Sequence, residues 1–292
     1  MKRHVPKHLP IHPVPTTFAR AELVPDPMRP TLVHLLLDGV ESSAIDMDDP
    51  SHLEFEYMQH IRLLAESNLL SRGLLGARGS TPPTGRTSPI RALHLGAAGC
   101  TIARAFSALA PMHQLAVEID PELARLAREW FDLPRSPVLR IRVGDARQVL
   151  DTTQATWDVI VRDAFMDREV PEHLRTLEAA ARAHSVLEPG GIYLLNAVAT
   201  AGLRRIDEDI AALMASFAHV VAITDPAIFS GKRFGNIVLA ASDAAFDLQD
   251  IRRHVRRLSL PAKLFDGGEL GRRGASVRPL SDADAAWPET TP

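Results

Sequence analysis

Arg91-Ala-Leu-His-Leu-Gly-Ala-Ala-Gly-Cys-Thr101, followed downstream by Val117-Glu-Ile-Asp120, is the pair of stretches that decides the fold. The first reads as an apolar strand, a turn of small residues and the start of a helix. The second reads as another strand that ends in acids. Glu118 stands about 20 residues after Gly96, the layout of a nucleoside-binding βαβ unit whose acid takes ribose hydroxyls. Gly96 ends the strand where the backbone must turn sharply. Ala97, Ala98 and Gly99 are small enough to let a ligand approach the main chain. The helix starting near Cys100 or Thr101 offers free N–H groups and the positive end of its dipole. The same residues also suit a plain βα turn. The spacing is not Gly-x-Gly-x-x-Gly, which argues against NAD or FAD.

Further along, acids recur at strand ends. Glu118 and Asp120 alternate onto one face. Asp120-Pro121-Glu122 also makes an N-cap with Pro in the first helical turn, so Asp120 reads as structural. Gly144-Asp145-Ala146 follows the strand at 138–143; Asp145 and the Ala146 backbone suit either an adenine edge or a helix cap. Asp163 ends the strand Trp157 to Arg162 and is the candidate reaction-centre carboxylate. It is placed to orient an amine, remove its proton or face a sulfonium charge.

Around these motifs strands and helices alternate from residue 90. Strands are expected at 91–95, 114–119, 138–143, 157–162 and 191–198, with helices at 100–109, 121–131, 145–151, 171–187 and 203–217. Strands at 218–224 and 234–241 with no helix between them predict an antiparallel edge, and 247–258 a last Arg-rich helix. The fold class is therefore α/β, a doubly wound, mostly parallel Rossmann-like sheet. Upstream, 31–46 reads as a β-hairpin turning at Asp38-Gly39, followed by a helix over 53–66. Five segments result: a disordered tail (1–30, with His4, His8 and His12), a hairpin-helix module (31–70), a flexible linker (71–89), the nucleoside-binding domain (90–260) and a C-terminal tail (261–292).

Bulk properties narrow the function classes. Net charge is −3, so no global basic field recruits nucleic acid or a membrane surface. No apolar run is long enough to span a bilayer. Cys100 is the single cysteine and cannot form an internal disulfide, which fits a reducing, cytoplasmic compartment. Cys100 and Trp157 read as packing residues, His94 as a hydrogen-bonded core histidine, and Asn196 as a satisfied polar residue. Phe165, past a strand end, suits either a base stack or a surface. No His/Cys/Asp cluster has metal-ligand spacing, and no nucleophile elbow or P-loop is present.

The chain resembles the spermidine synthase (polyamine aminopropyltransferase) family, in particular its bacterial spermidine synthase-like branch, over roughly 31–242. The carrying motifs are Leu37-Asp-Gly-Val40, Leu53-Glu-Phe-Glu-Tyr57, Leu93-His-Leu-Gly96, Val117-Glu-Ile-Asp120, Gly144-Asp-Ala146, Asp163-Ala-Phe165 and Leu187-Glu-Pro-Gly-Gly191. The resemblance implies a class I methyltransferase-type Rossmann fold beside a small N-terminal β-domain, commonly as a homodimer. It implies a decarboxylated S-adenosylmethionine donor, a small-molecule amine acceptor and no metal. By match, Glu118 is the ribose acid, Asp145 the adenine contact and Asp163 the catalytic aspartate. Tyr57 lines the acceptor site. The family's reaction-centre loop is Asp-Ser-Ser-Asp-Pro, whereas Asp163-Ala-Phe-Met-Asp167 stands here, with Asp167 one residue late as a candidate acceptor ligand. Met58-Gln59 replaces the family's His-Glu. Two other readings share the sheet: an S-adenosylmethionine-dependent methyltransferase with another nucleophilic acceptor, and a non-catalytic nucleoside-binding paralogue.

Overall fold

The architecture comes from a computed structural model that describes residues 9–76, 88–166, 168–199 and 202–287. Two sheets organise it. The smaller is antiparallel, in the order β1 (Val14–Pro15), β2 (Arg20–Pro25), β3 (Leu32–Leu37), β4 (Val40–Asp46). The β3–β4 turn is Asp38-Gly39, both in the left-handed region that a tight hairpin demands. Helix α1 (Glu56–Ser71) follows and buries Met58, Ile61, Leu64, Ala65 and Leu69, a helical spacing.

The larger sheet has eight strands in the order β12-β10-β11-β9-β8-β5-β6-β7. β5 (Ile90–Leu95), β6 (Met112–Glu118), β7 (Leu139–Val143), β8 (Trp157–Arg162) and β9 (Leu187–Ala199) run parallel to one another. β10 (His219–Thr224), β11 (Gly235–Ser242) and β12 (Lys263–Phe265) pair antiparallel. Helices α2 (Thr101–Leu109), α3 (Pro121–Trp130), α4 (Ala146–Thr152), α5 (Leu177–Ser185) and α6 (Arg204–Ser216) make the crossovers. α7 (Pro226–Phe229), α8 (Leu248–Val255) and α9 (Gly267–Gly274) complete the chain. β8 is buried along its whole length, as a central strand covered on both faces must be.

Three expectations are corrected. Residues 1–30 are not a tail throughout: β1 and β2 lie there, with Ala21 and Leu23 buried while Arg20 and Glu22 are not. The prolines around them hide that short alternation. The described part of the expected 261–292 tail, residues 261–287, is not a tail either, since Leu264, Phe265 and Leu270 bury themselves against the large sheet. Few large apolar residues stand there, and these three are buried. The antiparallel edge is present as expected and is one strand wider, because β12 adds outside β10. The helix expected over 171–187 begins instead as a single 3-10 turn at Glu172–Leu174, before Thr176 caps α5. Most of the expected 71–89 linker lies outside the described residues.

The two sheets are joined by specific contacts. Ser43 Oγ accepts from Gly99 N at 3.1 Å, and the Arg104 guanidinium donates to the carbonyls of Asp46 and Met47. Asp120 Oδ1 caps α3 through Glu122 N and Leu123 N, both at 2.9 Å, while its two oxygens also take Thr17 N and Phe18 N from the β1–β2 connection. One carboxylate thus ends a strand, starts a helix and ties down the N-terminal sheet. Burial works against its charge, but the hydrogen bonds from the Thr16 side chain and these backbone groups prevail and hold it below the usual carboxylate range.

Candidate active site

The carboxyl ends of the parallel strands open into a cleft of about 1650 Å³. Cleft formation at that edge follows from the doubly wound topology, because the strand order reverses between β5 and β8. Gly96 sits at this switch point with φ +99, and a Cβ there would run into the Asp163 and Ala164 backbone. Glycine is therefore required twice, by conformation and by the close approach of β8.

Glu118 is buried at the end of β6. Its Oε2 accepts from Ala98 N at 2.8 Å and its Oε1 from Asp120 N at 3.0 Å. Burial raises its pKa above the ordinary glutamate value, although these N–H bonds favour the charge. The carboxylate is fixed by backbone N–H groups of the turns after β5 and β6, with lone pairs left on both oxygens. Ala97 and Ala98 line the cleft beside it, as do Gly144, Asp145 and Ala146. Gly99 does not. A Cβ there would meet Ile45 at 2.7 Å and Ser43 at 2.9 Å, so its smallness serves the packing of β4 and not ligand access.

Asp145 is the helix cap that one of its readings expected, and it also lines the cleft. Oδ1 caps α4 through Gln148 N at 2.8 Å, and Oδ2 takes His173 Nε2 at 2.9 Å. Partial burial raises its pKa, but the His173 contact and the helix N–H groups outweigh that and lower it overall. His173 has no counterpart in the sequence motifs; the 3-10 turn delivers it.

Asp163 lies half-buried past the end of β8. Tyr57 Oη donates to Oδ2 at 3.1 Å, and Asn196 Nδ2 donates to Oδ1 at 2.9 Å. The Asn196 orientation is set by Asn236 Nδ2, which donates to its Oδ1 at 3.1 Å. A polar relay therefore crosses β11, β9 and β8 to the acid. Burial pushes the Asp163 carboxyl above the usual range, and the Asn196 and Tyr57 bonds draw it partly back. Tyr57 is held well above the ordinary tyrosine value, first by burial and then by the Asp163 charge, so it remains a neutral donor. Asn196 is satisfied, as its position suggested, but its partner is the candidate reaction-centre acid.

The other half of the cleft is built from scattered residues. Glu41 pairs with His34 at 3.1 Å and Glu54 with His52 at 2.9 Å. Gln59 donates to the Leu53 carbonyl at 2.8 Å, and Met58 is buried. Glu56 shares its surroundings with Arg233 and Asp225, which pair at 2.9 Å. His60, one turn after Tyr57, is buried with both ring nitrogens unpartnered, and burial lowers its pKa to about 4. Asp167 lies outside the described residues. His94 bonds Gln114 at 2.9 Å in the core, and burial pushes the Cys100 thiol up to about 12, so neither is poised for chemistry. Among the described residues there is no His/Cys/Asp/Glu group able to hold a metal, and no helix is long and apolar enough to cross a membrane.

Strand order and the cleft at the carboxyl edge define a class I methyltransferase-like fold. Human methyltransferase-like protein 13, solved in complex with SAH, shares that fold (TM-score 0.52, 18% identity, 78% of this chain and 96% of that one). So does a spermidine synthase solved in complex with the transition-state analogue AdoDATO (TM-score 0.57, 17% identity, 95% and 84%). A probable spermidine synthase from Corynebacterium glutamicum ATCC 13032 is far nearer: 33% identity and TM-score 0.85, covering 96% of this chain and 99% of that one. The chain belongs to the spermidine synthase (polyamine aminopropyltransferase) family. A polyamine aminopropyltransferase from Vibrio vulnificus (strain CMCP6) is 32% identical over 119 residues, 39% of this chain. The match spans 40% of that relative's length, and 23% of a second from Bifidobacterium longum (strain NCC 2705). No family model matches the chain.

Proposed function

We propose that the protein transfers an aminopropyl group from a decarboxylated S-adenosylmethionine-type donor to a small amine. The observation that carries this is the Asp163 carboxylate, gripped by Tyr57 Oη from α1 and Asn196 Nδ2 from β9. A methyltransferase-type sheet alone supplies no Tyr57; the N-terminal module does. In this reading Glu118 takes the ribose hydroxyls, Asp145 and the Ala146 backbone take the adenine edge, and the loop from Gly96 to Ala98 passes beside the donor.

Asp163 orients the attacking amine toward the carbon next to the sulfonium. As the N–C bond forms and the C–S bond breaks, methylthioadenosine leaves and the amine's surplus proton passes to an Asp163 oxygen. The raised pKa of that carboxyl brings it closer to the amine it must serve. Orientation within the cleft supplies the rest of the rate. Tyr57 and Asp167 are the proposed acceptor contacts. The reading takes the protein as a cytoplasmic homodimer that acts without metal or nucleic acid.

The test is calorimetric titration with S-adenosylmethionine, its decarboxylated form and methylthioadenosine. Preference for the decarboxylated form is expected. Preference for the carboxylate-bearing ligand would move the protein to methyl transfer, and silence with all three would leave a non-catalytic paralogue.

A further inference from the structure

The segment 280–287 is strapped over the nucleoside end of the cleft. Leu177 N donates to the Leu280 carbonyl at 2.8 Å. Asp282 pairs with Arg147 at 2.6 Å and accepts from Thr176 Oγ1 at 2.7 Å. Glu172 takes Ala286 N at 2.9 Å. The strap ends on Trp287, whose Nε1 donates back to the Asp282 carbonyl at 3.2 Å. Its indole lies 5.4 Å from the His173 ring and 5.1 Å from the Arg147 guanidinium carbon. His173 is the residue bonded to Asp145, so the indole stands next to the proposed adenine contact.

Despite these anchors the indole is 48% exposed, and it lines the cleft. Trp130 and Trp157 are buried. Ile119, Phe165 and Met166 also line the cleft with much of their apolar surface open. Large apolar side chains that converge on one pocket and stay exposed mark the place of a flat apolar ligand. An indole held by its N–H and backed by a cation presents a rigid π-face at low entropic cost.

We infer that Trp287 contacts the nucleobase of the donor, so that the 280–287 strap is part of the donor site. This rests on the nucleoside reading given above. It assigns the Arg147–Asp282 ion pair a task at a distance, that of holding the indole in place over the Asp145 end. The segment read from sequence as a tail then contributes a wall that the strand-end motifs do not supply.

The experiment titrates the full chain with methylthioadenosine, followed by calorimetry and by tryptophan emission. In the unsubstituted chain, binding should change the emission. In W287F the emission change should disappear while affinity stays within about threefold, because phenylalanine keeps an aromatic face. In W287A affinity should fall about tenfold, the loss of one base–aromatic stack. Asp282→Asn, which frees the strap from Arg147, should weaken binding in the same direction. Equal affinity in W287A, or an emission change that survives in W287F, overturns the inference while the donor reading stands. Failure of the unsubstituted chain to bind methylthioadenosine overturns the donor reading, and this inference with it.

Discussion

The two halves of the cleft are built on different plans. In the proposed donor half, backbone N–H groups hold the acids: Glu118 takes Ala98 N and Asp120 N, and Asp145 takes Gln148 N with the His173 ring added. In the acceptor half, groups arrive singly from distant segments: Tyr57 on α1, Asn196 on β9, Asp225 before α7 and Arg233 before β11. Backbone-held carboxylates are preorganised by the turn itself and survive drift in neighbouring side chains. A half assembled from separate side chains can change its ligand without disturbing the turn. In the proposed reading, that difference lets the strand-end acids be kept while residues beside Tyr57 and Asp163 vary.

The largest expected effect tests the point where the halves meet. Asp163→Asn should leave methylthioadenosine affinity unchanged and lower turnover about a thousandfold, the scale of lost general-base catalysis. Single-turnover assays with putrescine as probe, run beside calorimetry, separate the two readings. Unchanged turnover would remove Asp163 from the mechanism. Next in size, Glu118→Gln should weaken methylthioadenosine about fiftyfold, since hydrogen bonds to a charged partner carry about 1.5–3 kcal/mol. If binding were indifferent to Glu118, the donor half would not be the preorganised one.

Third, Asp120→Ala removes the α3 cap and the acceptor for Thr17 N and Phe18 N together. A stability loss of about 2 kcal/mol is expected in urea titration, with Asp120→Asn losing less. Because the Asp120 pKa is lowered in the fold, its contribution is present above the unfolded aspartate value and fades as pH falls through the folded one. Wild type and Asp120→Ala should therefore converge in stability at acid pH. A gap that widens there would contradict the assignment.

Legibility in the sequence followed the same division. Glu118, Asp145 and Asp163 were readable because each ends an apolar strand and starts a turn, a pattern local to a dozen residues. The strand–helix alternation of the large sheet and the Asp38-Gly39 hairpin are readable for the same reason. Gly99 is ambiguous in the sequence because a small residue at a βα turn serves ligand access and strand packing alike, and only the position of Ser43 and Ile45 shows the packing role. β1 and β2 escape the sequence reading because β1 is two residues long and β2 buries only Ala21 and Leu23, which leaves almost no periodic signal. His173, Asn236 and Trp287 carried no signal at all: their partners are separated along the chain and adjacent only after the strands pair.

The smallest effect probes the acceptor half most directly. Tyr57→Phe removes one hydrogen bond to Asp163 and should cost about fivefold in turnover, the worth of a single bond of about 1 kcal/mol. Its sharper readout is the pH profile. Asp163 must be ionised to take the amine proton, so activity rises as pH climbs through its pKa. Burial already holds that pKa high, and the Asn196 and Tyr57 bonds are what pull it down. Without the phenol the acid limb of kcat should move to higher pH, and Asn196→Ala should move it the same way. The donor affinity should be untouched in both, because neither side chain reaches Glu118 or Asp145. A limb that stays in place in both variants would show that the group titrating on it is not Asp163.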